Sequence, residues 1–164
     1  MKPLNSKQTS SRPAQILLVE DNNNDVELTR LAFEMSNLPF RVHHVKDGVD
    51  CMAFLRREGE YVDVPTPDLI LLDLNMPRKN GREVLTEMMA DEILSYLRVV
   101  VLSTSSNDEE ILKMYKLGCS SYIVKPVDFA QFLVIVRSLA EYWFTVVMLP
   151  PQISTIRPAV RSGP

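Results

Sequence analysis

The 164-residue sequence lacks the features that mark several large classes of protein. No apolar run reaches the roughly 18 residues that suggest a membrane-spanning helix. The polar N-terminus contains no apolar segment of the kind found in a secretion signal. A net charge of −3 supplies no basic surface for general binding to nucleic acid. We therefore expect a cytoplasmic protein with neither a membrane nor a nucleic-acid partner.

Cysteine is also scarce. Cys51 and Cys119 are the only two, and their spacing matches no metal-binding motif. Isolated thiols of this kind are typical of a reducing compartment. We expect two free, buried or half-buried thiols and no disulfide.

What is present is an ordinary globular composition, 46% apolar and 24% charged. The length suits one domain with tails. We predict a flexible N-terminal arm over residues 1–14, a folded domain over 15–147 and a Pro-containing tail over 148–164. No DNA-binding or enzymatic domain is expected after residue 150, so output should occur through protein contacts.

Short apolar runs alternate five times with helical patterns. The predicted strands are Ile16–Val19, Phe40–Val45, Leu69–Leu72, Arg98–Leu102 and Tyr122–Val124. The last helix is predicted from about Asp128 to Val147. Alternating strands and helices indicate a doubly wound α/β fold with a parallel sheet.

Polar side chains follow four of the five strands. They are Glu20 and Asp21 after the first strand, Asp73 after the third, Ser103 after the fourth and Lys125 after the fifth. Because the carboxyl ends of parallel strands share one edge, we expect these groups to form one crevice.

Three crowded carboxylates repel one another unless a cation lies between them. Mg²⁺ is the natural candidate because it binds oxygen ligands and shares them with phosphate. A carboxylate can attack phosphorus, and Lys125 and Ser103 could bind phosphoryl oxygens. The residue types therefore suggest an aspartyl-phosphate site with Asp73 as the nucleophile.

These motifs resemble the receiver domain of two-component response regulators, over about residues 15–147. The matching segments are Val19–Asn22, Leu72–Pro77, Asn80–Gly81, Leu102–Thr104 and Tyr122–Pro126. The resemblance implies a flavodoxin-like (βα)5 sheet with strand order 2-1-3-4-5. It also implies a signalling protein that catalyses only its own phosphorylation and dephosphorylation.

The resemblance assigns a role to each matching residue. Asp73 corresponds to the phosphoacceptor, and Lys125 and Ser103 to its catalytic partners. Ser103 and Tyr122 correspond to a conformational switch. The implied metal ligands are Glu20, Asp21, Asp73 and the backbone carbonyl of Asn75. The resemblance further implies a cis Lys125–Pro126 bond.

A closer likeness is to single-domain regulators that serve cyanobacterial phytochromes. The segments that carry it are Phe54–Tyr61, Pro65–Pro67, Asn75–Leu85, Lys125–Phe129 and Tyr142–Trp143. It implies a light-sensing histidine kinase as the partner.

The apolar arc of the last helix spans roughly 200°, more than one sheet face needs. The surplus could be a longer core seam or an exposed interface. We favour an interface that includes Tyr142, Trp143 and Val146, in a homodimer. Its face would be formed by helix 4 (predicted over Asp108–Leu117), strand 5 and the last helix, helix 5.

The predicted fold and site leave three alternatives. A phosphorelay intermediate would use the same chemistry but pass the phosphoryl group to a histidine on another protein. A haloacid-dehalogenase-like phosphatase needs a second acid where this chain has Asn75. A degenerate receiver that only binds partners is disfavoured by the complete set of site residues.

Overall fold

A five-stranded parallel sheet forms the centre of the molecule, in the order β2-β1-β3-β4-β5. The computed structural model describes residues 12–151, apart from the side chain of Val146. The strands are β1 Ala14–Val19, β2 Phe40–Val45, β3 Leu69–Asp73, β4 Val99–Ser103 and β5 Ser121–Val124. The helices are α1 Asn23–Glu34, α2 Gly48–Arg56, α3 Gly81–Met89, α4 Asp108–Leu117 and α5 Phe129–Glu141. The predicted topology is confirmed.

Side chains of the inner strands alternate between two apolar layers, because successive residues of a strand point to opposite faces. One layer joins the sheet to α2, α3 and α4. The other joins it to α1 and α5. The whole of β3 and the whole of β4 are buried between them. This burial explains why both strands are almost entirely apolar in sequence.

An Asn or Asp side chain caps the N-terminus of each of these five helices. The caps are Asn22, Asp47, Asn80, Asn107 and Asp128, and each accepts a hydrogen bond from a backbone N–H two or three residues later. Such caps satisfy donors that the helix itself leaves unpaired. They fix where each helix begins, and thus the length of each loop at the carboxyl edge of the sheet.

The C-terminal helix differs from the sequence prediction. Its α-helical part ends at Glu141, and a π-helical turn, Tyr142–Val146, follows. In that turn Phe144 packs edge to face on Phe40, at 5.3 Å between ring centroids. Phe40 in turn lies 4.9 Å from Phe33. Part of the apolar surplus is therefore a core seam that joins the π-helical turn to β2 and α1.

The predicted interface residues differ in exposure. Tyr142 is 51% exposed, whereas Trp143 is half-buried against the α1–α5 layer. The side chain of Val146 lies outside the described part of the chain. Both thiols, Cys51 and Cys119, are buried and free, as expected.

The predicted domain boundaries remain predictions, because residues 1–11 and 152–164 lie outside the described range. β1 begins at Ala14, which pairs with Phe40 at the edge of the sheet. Within residues 12–151, no helix has the length and hydropathy needed to cross a bilayer.

Candidate phosphoacceptor site

Three carboxylates meet at the carboxyl ends of β1 and β3. Glu20 and Asp21 directly follow β1, and Asp73 is the last residue of β3. The parallel register pairs Val19 with Leu72, so the next residues of both strands lie side by side. One carboxylate oxygen from each acid lies within 4.8 Å of the other two. Glu20 and Asp73 are buried, while Asp21 is exposed.

This crowding perturbs the ionisation of Asp73. Burial, followed by the charge of Glu20, raises the pKa of Asp73 to about 7. Lys125 and the backbone N–H of Asn75, which donates to the Asp73 carboxylate, act in the opposite direction but do not cancel the rise. The cluster is thus short of positive charge around Asp73.

Lys125 is held by carboxylates other than Asp73. Its Nζ donates to Glu20 Oε2 at 2.6 Å and to Asp25 Oδ2 at 3.1 Å. Burial opposes the charge of this ammonium, but Glu20, Asp73 and Asp25 outweigh it and raise the pKa of Lys125. Among the described residues, Lys125 forms no ion pair with Asp73.

The implied cis Lys125–Pro126 bond is wrong for this structure, because the described chain has no cis peptide bond. The trans isomer is the intrinsically favoured one for a bond to proline.

Ser103, Ser105 and Tyr122 form a connected set beside the carboxylates. Ser103 is fully buried at the end of β4, and its Oγ accepts from the Ser105 N–H at 3.1 Å. The hydroxyl of half-buried Tyr122 donates to the Ser105 carbonyl at 2.8 Å. The two predicted switch residues therefore share Ser105 as a hydrogen-bond partner.

The loop after Asp73 is held by close backbone packing. A side chain on Gly81 would come within 2.4 Å of the Asp73 carbonyl oxygen, so only glycine fits there. Between Asp73 and Gly81, Arg78 has a left-handed backbone with φ of 64°. Its guanidinium donates to both oxygens of buried Asp47, at 2.7 and 3.0 Å. These contacts hold the loop that contains Asn75 against α2 and α3.

The donor set fits a hard divalent cation. Glu20, Asp21 and Asp73 offer only oxygen ligands, the type that Mg²⁺ prefers. The raised pKa of Asp73 shows that the cluster would gain from a positive charge at this position.

Comparison with known proteins agrees with this geometry. Residues 16–137 match the family model described as "Response regulator receiver domain". The chain belongs to the response-regulator receiver family. It is 38% identical, over 86% of its length and 96% of the relative, to response regulator Rcp1 of Synechocystis sp. (strain ATCC 27184 / PCC 6803 / Kazusa).

Solved structures of related receivers superpose closely. One is the phosphorylated cyanobacterial phytochrome response regulator RcpA, with 45% identity and a TM-score of 0.81 over 85% of this chain and 99% of that one. Another is the Mn²⁺-bound form of Rcp1, with 38% identity and a TM-score of 0.79 over 84% of this chain and 99% of that one. The chain is thus a receiver domain related to phytochrome response regulators.

The receiver brings together Glu20, Asp21 and Asp73 as predicted and places Lys125 beside Glu20. The backbone carbonyl of Asn75 stays a predicted ligand, whereas its N–H is placed on Asp73. Sequence reasoning missed Asp25 as a partner of Lys125. Its signal was the Asn22 cap, which puts Asp25 in the first helical turn directly above the end of β1.

We expect the Asp73→Asn receiver to be more stable than the wild type in chelator, by about 1–3 kcal/mol at pH 8. The folded-state pKa of Asp73 lies above its ordinary value, so wild-type stability falls as pH rises from about 4 to about 7. The gain should therefore shrink as pH falls toward 4, and it should disappear with saturating MgCl₂. Urea unfolding across this pH range measures it.

The matched control is Asp63→Asn, which removes an exposed carboxylate outside the cluster. It should show no such pH-dependent gain. An Asp73→Asn protein less stable than wild type at pH 8 in chelator would contradict the electrostatic description of the site.

Proposed function

We propose that this receiver is phosphorylated on Asp73 by a partner histidine kinase and signals through protein contacts. The observation that carries the proposal is a buried carboxylate at the end of the central strand, next to two further acids and within the field of a lysine. A structural salt-bridge cluster would balance its charges better than this one does.

The chemistry follows from the placement of each group. An Asp73 carboxylate oxygen attacks the phosphorus of a phosphohistidine, the P–N bond breaks, and the imidazole nitrogen keeps the electron pair. Glu20, Asp21, Asp73 and the Asn75 carbonyl would hold Mg²⁺, which supplies charge neutralisation for the transferring group. Lys125 and Ser103 bind phosphoryl oxygens. The receiver catalyses only this transfer and the later hydrolysis of the aspartyl phosphate.

The proposed kinase is a phytochrome-type light sensor, acting in the cytoplasm. Support comes from the relatives, since RcpA is named as a cyanobacterial phytochrome response regulator and Rcp1 is a cyanobacterial response regulator. A phosphorelay intermediate is not favoured, because these relatives are named as response regulators.

Incubation with acetyl phosphate and MgCl₂ should add one phosphoryl group to the wild-type receiver, measured as a mass increase. The addition should be lost in chelator and in Asp73→Asn. Purified phytochrome kinases carrying labelled phosphohistidine should transfer label with the same dependence.

The control is Asp63→Asn, which should label like the wild type. Labelling of Asp73→Asn at the wild-type rate would place the phosphoryl group elsewhere and overturn the proposal.

The switch would operate through Ser105. A phosphoryl oxygen on Asp73 attracts the Ser103 hydroxyl, which then gives up the Ser105 N–H. Ser105 also accepts the hydroxyl of Tyr122, so a shift of this residue releases the ring to turn toward the space behind Ser103. Tyr122 lies in β5, and its N–H donates to the Tyr115 hydroxyl of α4 at 3.1 Å. The change would thus reach the surface formed by α4 and β5.

Beryllofluoride with MgCl₂ mimics a phosphoryl group on Asp73. It should shift backbone amide resonances throughout α4 and β5 in the wild type. In Ser103→Ala and Tyr122→Ala these distant shifts should be strongly reduced while resonances around Asp73 still respond. Ser106→Ala, at an exposed neighbouring position, should behave like the wild type. Full-sized shifts in both switch variants would refute this model.

The proposed homodimer would use the face formed by α4, β5 and α5. Leu112 and Tyr115 of α4 are 56% and 46% exposed, and Val124 of β5 is 39% exposed. β5 is also an edge strand of the sheet. Exposed apolar side chains along a sheet edge favour association with another surface. Tyr142 would extend this surface along the C-terminal turn.

Sedimentation should detect a dimer of the wild-type receiver. Leu112→Lys should shift it toward monomer by placing charge in the contact. Val62→Lys places the same charge at an exposed apolar residue outside the proposed face and should leave the dimer intact. A wild-type monomer with and without acetyl phosphate would exclude the dimer.

A further inference from the structure

The ammonium of Lys125 forms ion pairs with two carboxylates that differ in exposure to solvent. Glu20 is the shorter contact, at 2.6 Å, and its side chain is 4% exposed. Asp25 is the longer contact, at 3.1 Å, and its side chain is 39% exposed. Glu20 already belongs to the acidic cluster. Asp25 is therefore the partner of Lys125 that no other role in the site accounts for.

Local structure of α1 places Asp25 above the sheet edge. The Asn22 cap accepts the Asp25 N–H at 3.1 Å, and the Thr29 hydroxyl donates to the Asp25 carbonyl at 2.7 Å. A negative charge in the first turn of a helix is stabilised by the helix dipole. Both this dipole and water can thus support the Asp25 carboxylate when Lys125 leaves it.

We propose that Asp25 is a positioning residue that holds Lys125 away from Asp73 in the unphosphorylated receiver and so slows phosphorylation. This inference rests on the proposed function. Lys125 makes no ion pair with Asp73 in the described part of the chain, and on phosphorylation its ammonium exchanges the Asp25 contact for a phosphoryl oxygen on Asp73.

Asp25 should affect the rate of phosphorylation but not the rate of hydrolysis. Asp25 binds Lys125 before phosphorylation but not once the ammonium contacts the phosphoryl group. Removing Asp25 therefore destabilises the starting state of phosphorylation relative to its transition state, and that step becomes faster. Lys125 contacts the phosphoryl group both in the starting state of hydrolysis and in its transition state. Its rate should stay unchanged.

The test measures both rates for Asp25→Asn with acetyl phosphate and MgCl₂. In the phosphorylation step an Asp73 oxygen bonds to phosphorus, the bond from phosphorus to the acetate oxygen breaks, and acetate leaves with the electron pair. We expect phosphorylation to be about two- to fivefold faster, the range of a partly exposed ion pair. Hydrolysis of the aspartyl phosphate should match the wild type, and Asp25→Glu should restore the wild-type phosphorylation rate.

Glu27→Gln is the matched control. It removes an equal charge from the same end of α1, at an exposed residue that does not contact Lys125. It should leave both rates near wild type. Equal acceleration in Asp25→Asn and Glu27→Gln, acceleration of both steps by Asp25→Asn, or no acceleration would each overturn the role of Asp25.

A spectroscopic readout separates this inference from the proposed function. The ε-methylene resonances of Lys125 in the metal-free receiver should shift in Asp25→Asn and not in Glu27→Gln. If the wild type gains no phosphoryl group but this shift occurs, the ion pair stands and the proposed function fails. If the wild type is phosphorylated and the shift is missing, Asp25 does not hold Lys125 and the further inference fails.

Discussion

The repulsion between the buried carboxylates of Glu20 and Asp73 is the constraint to which the rest of the site responds. Parallel pairing of β1 with β3 forces these two acids together, because the residues that follow paired positions must be neighbours. Burial then removes the water that would otherwise screen them. The result is a raised pKa at Asp73 and a cluster that favours cations. A stable fold tolerates this local cost because the apolar layers on both faces of the sheet are extensive.

The ammonium of Lys125 cannot contact every acid at the edge. Lys125 lies closest to Glu20 and Asp25, so Asp73 feels its charge without a direct bond. Asp73, at the end of the central strand, therefore has too little positive charge near it to offset its burial and the charge of Glu20. The same imbalance favours binding of a cation at Asp73, and that cation would in turn offset the negative charge of a phosphoryl group.

The loops around the acids are held by different kinds of contact. The loop after β3 is held by the close approach of Gly81 to the Asp73 backbone and by the Arg78–Asp47 pair. The loop after β4 depends on a few hydrogen bonds at Ser105, one of which leads to Tyr122 in the edge strand. A change at Asp73 would therefore meet a closely packed loop on one side and, on the other, a loop connected through Tyr122 to β5.

The sequence by itself determined the strand and helix order and the gathering of Glu20, Asp21, Asp73, Ser103 and Lys125 at one edge. The element order follows from local patterns, because an apolar run or a helical spacing needs only neighbouring residues. The gathering follows from that order, because the carboxyl ends of parallel strands share one edge. Tertiary structure alone decided that Lys125 contacts Glu20 and Asp25, that Phe144 packs on Phe40 and that α5 ends in a π-helical turn. The contacts depend on where residues far apart in the chain meet. No periodic pattern in the sequence records which of several possible partners a long side chain contacts.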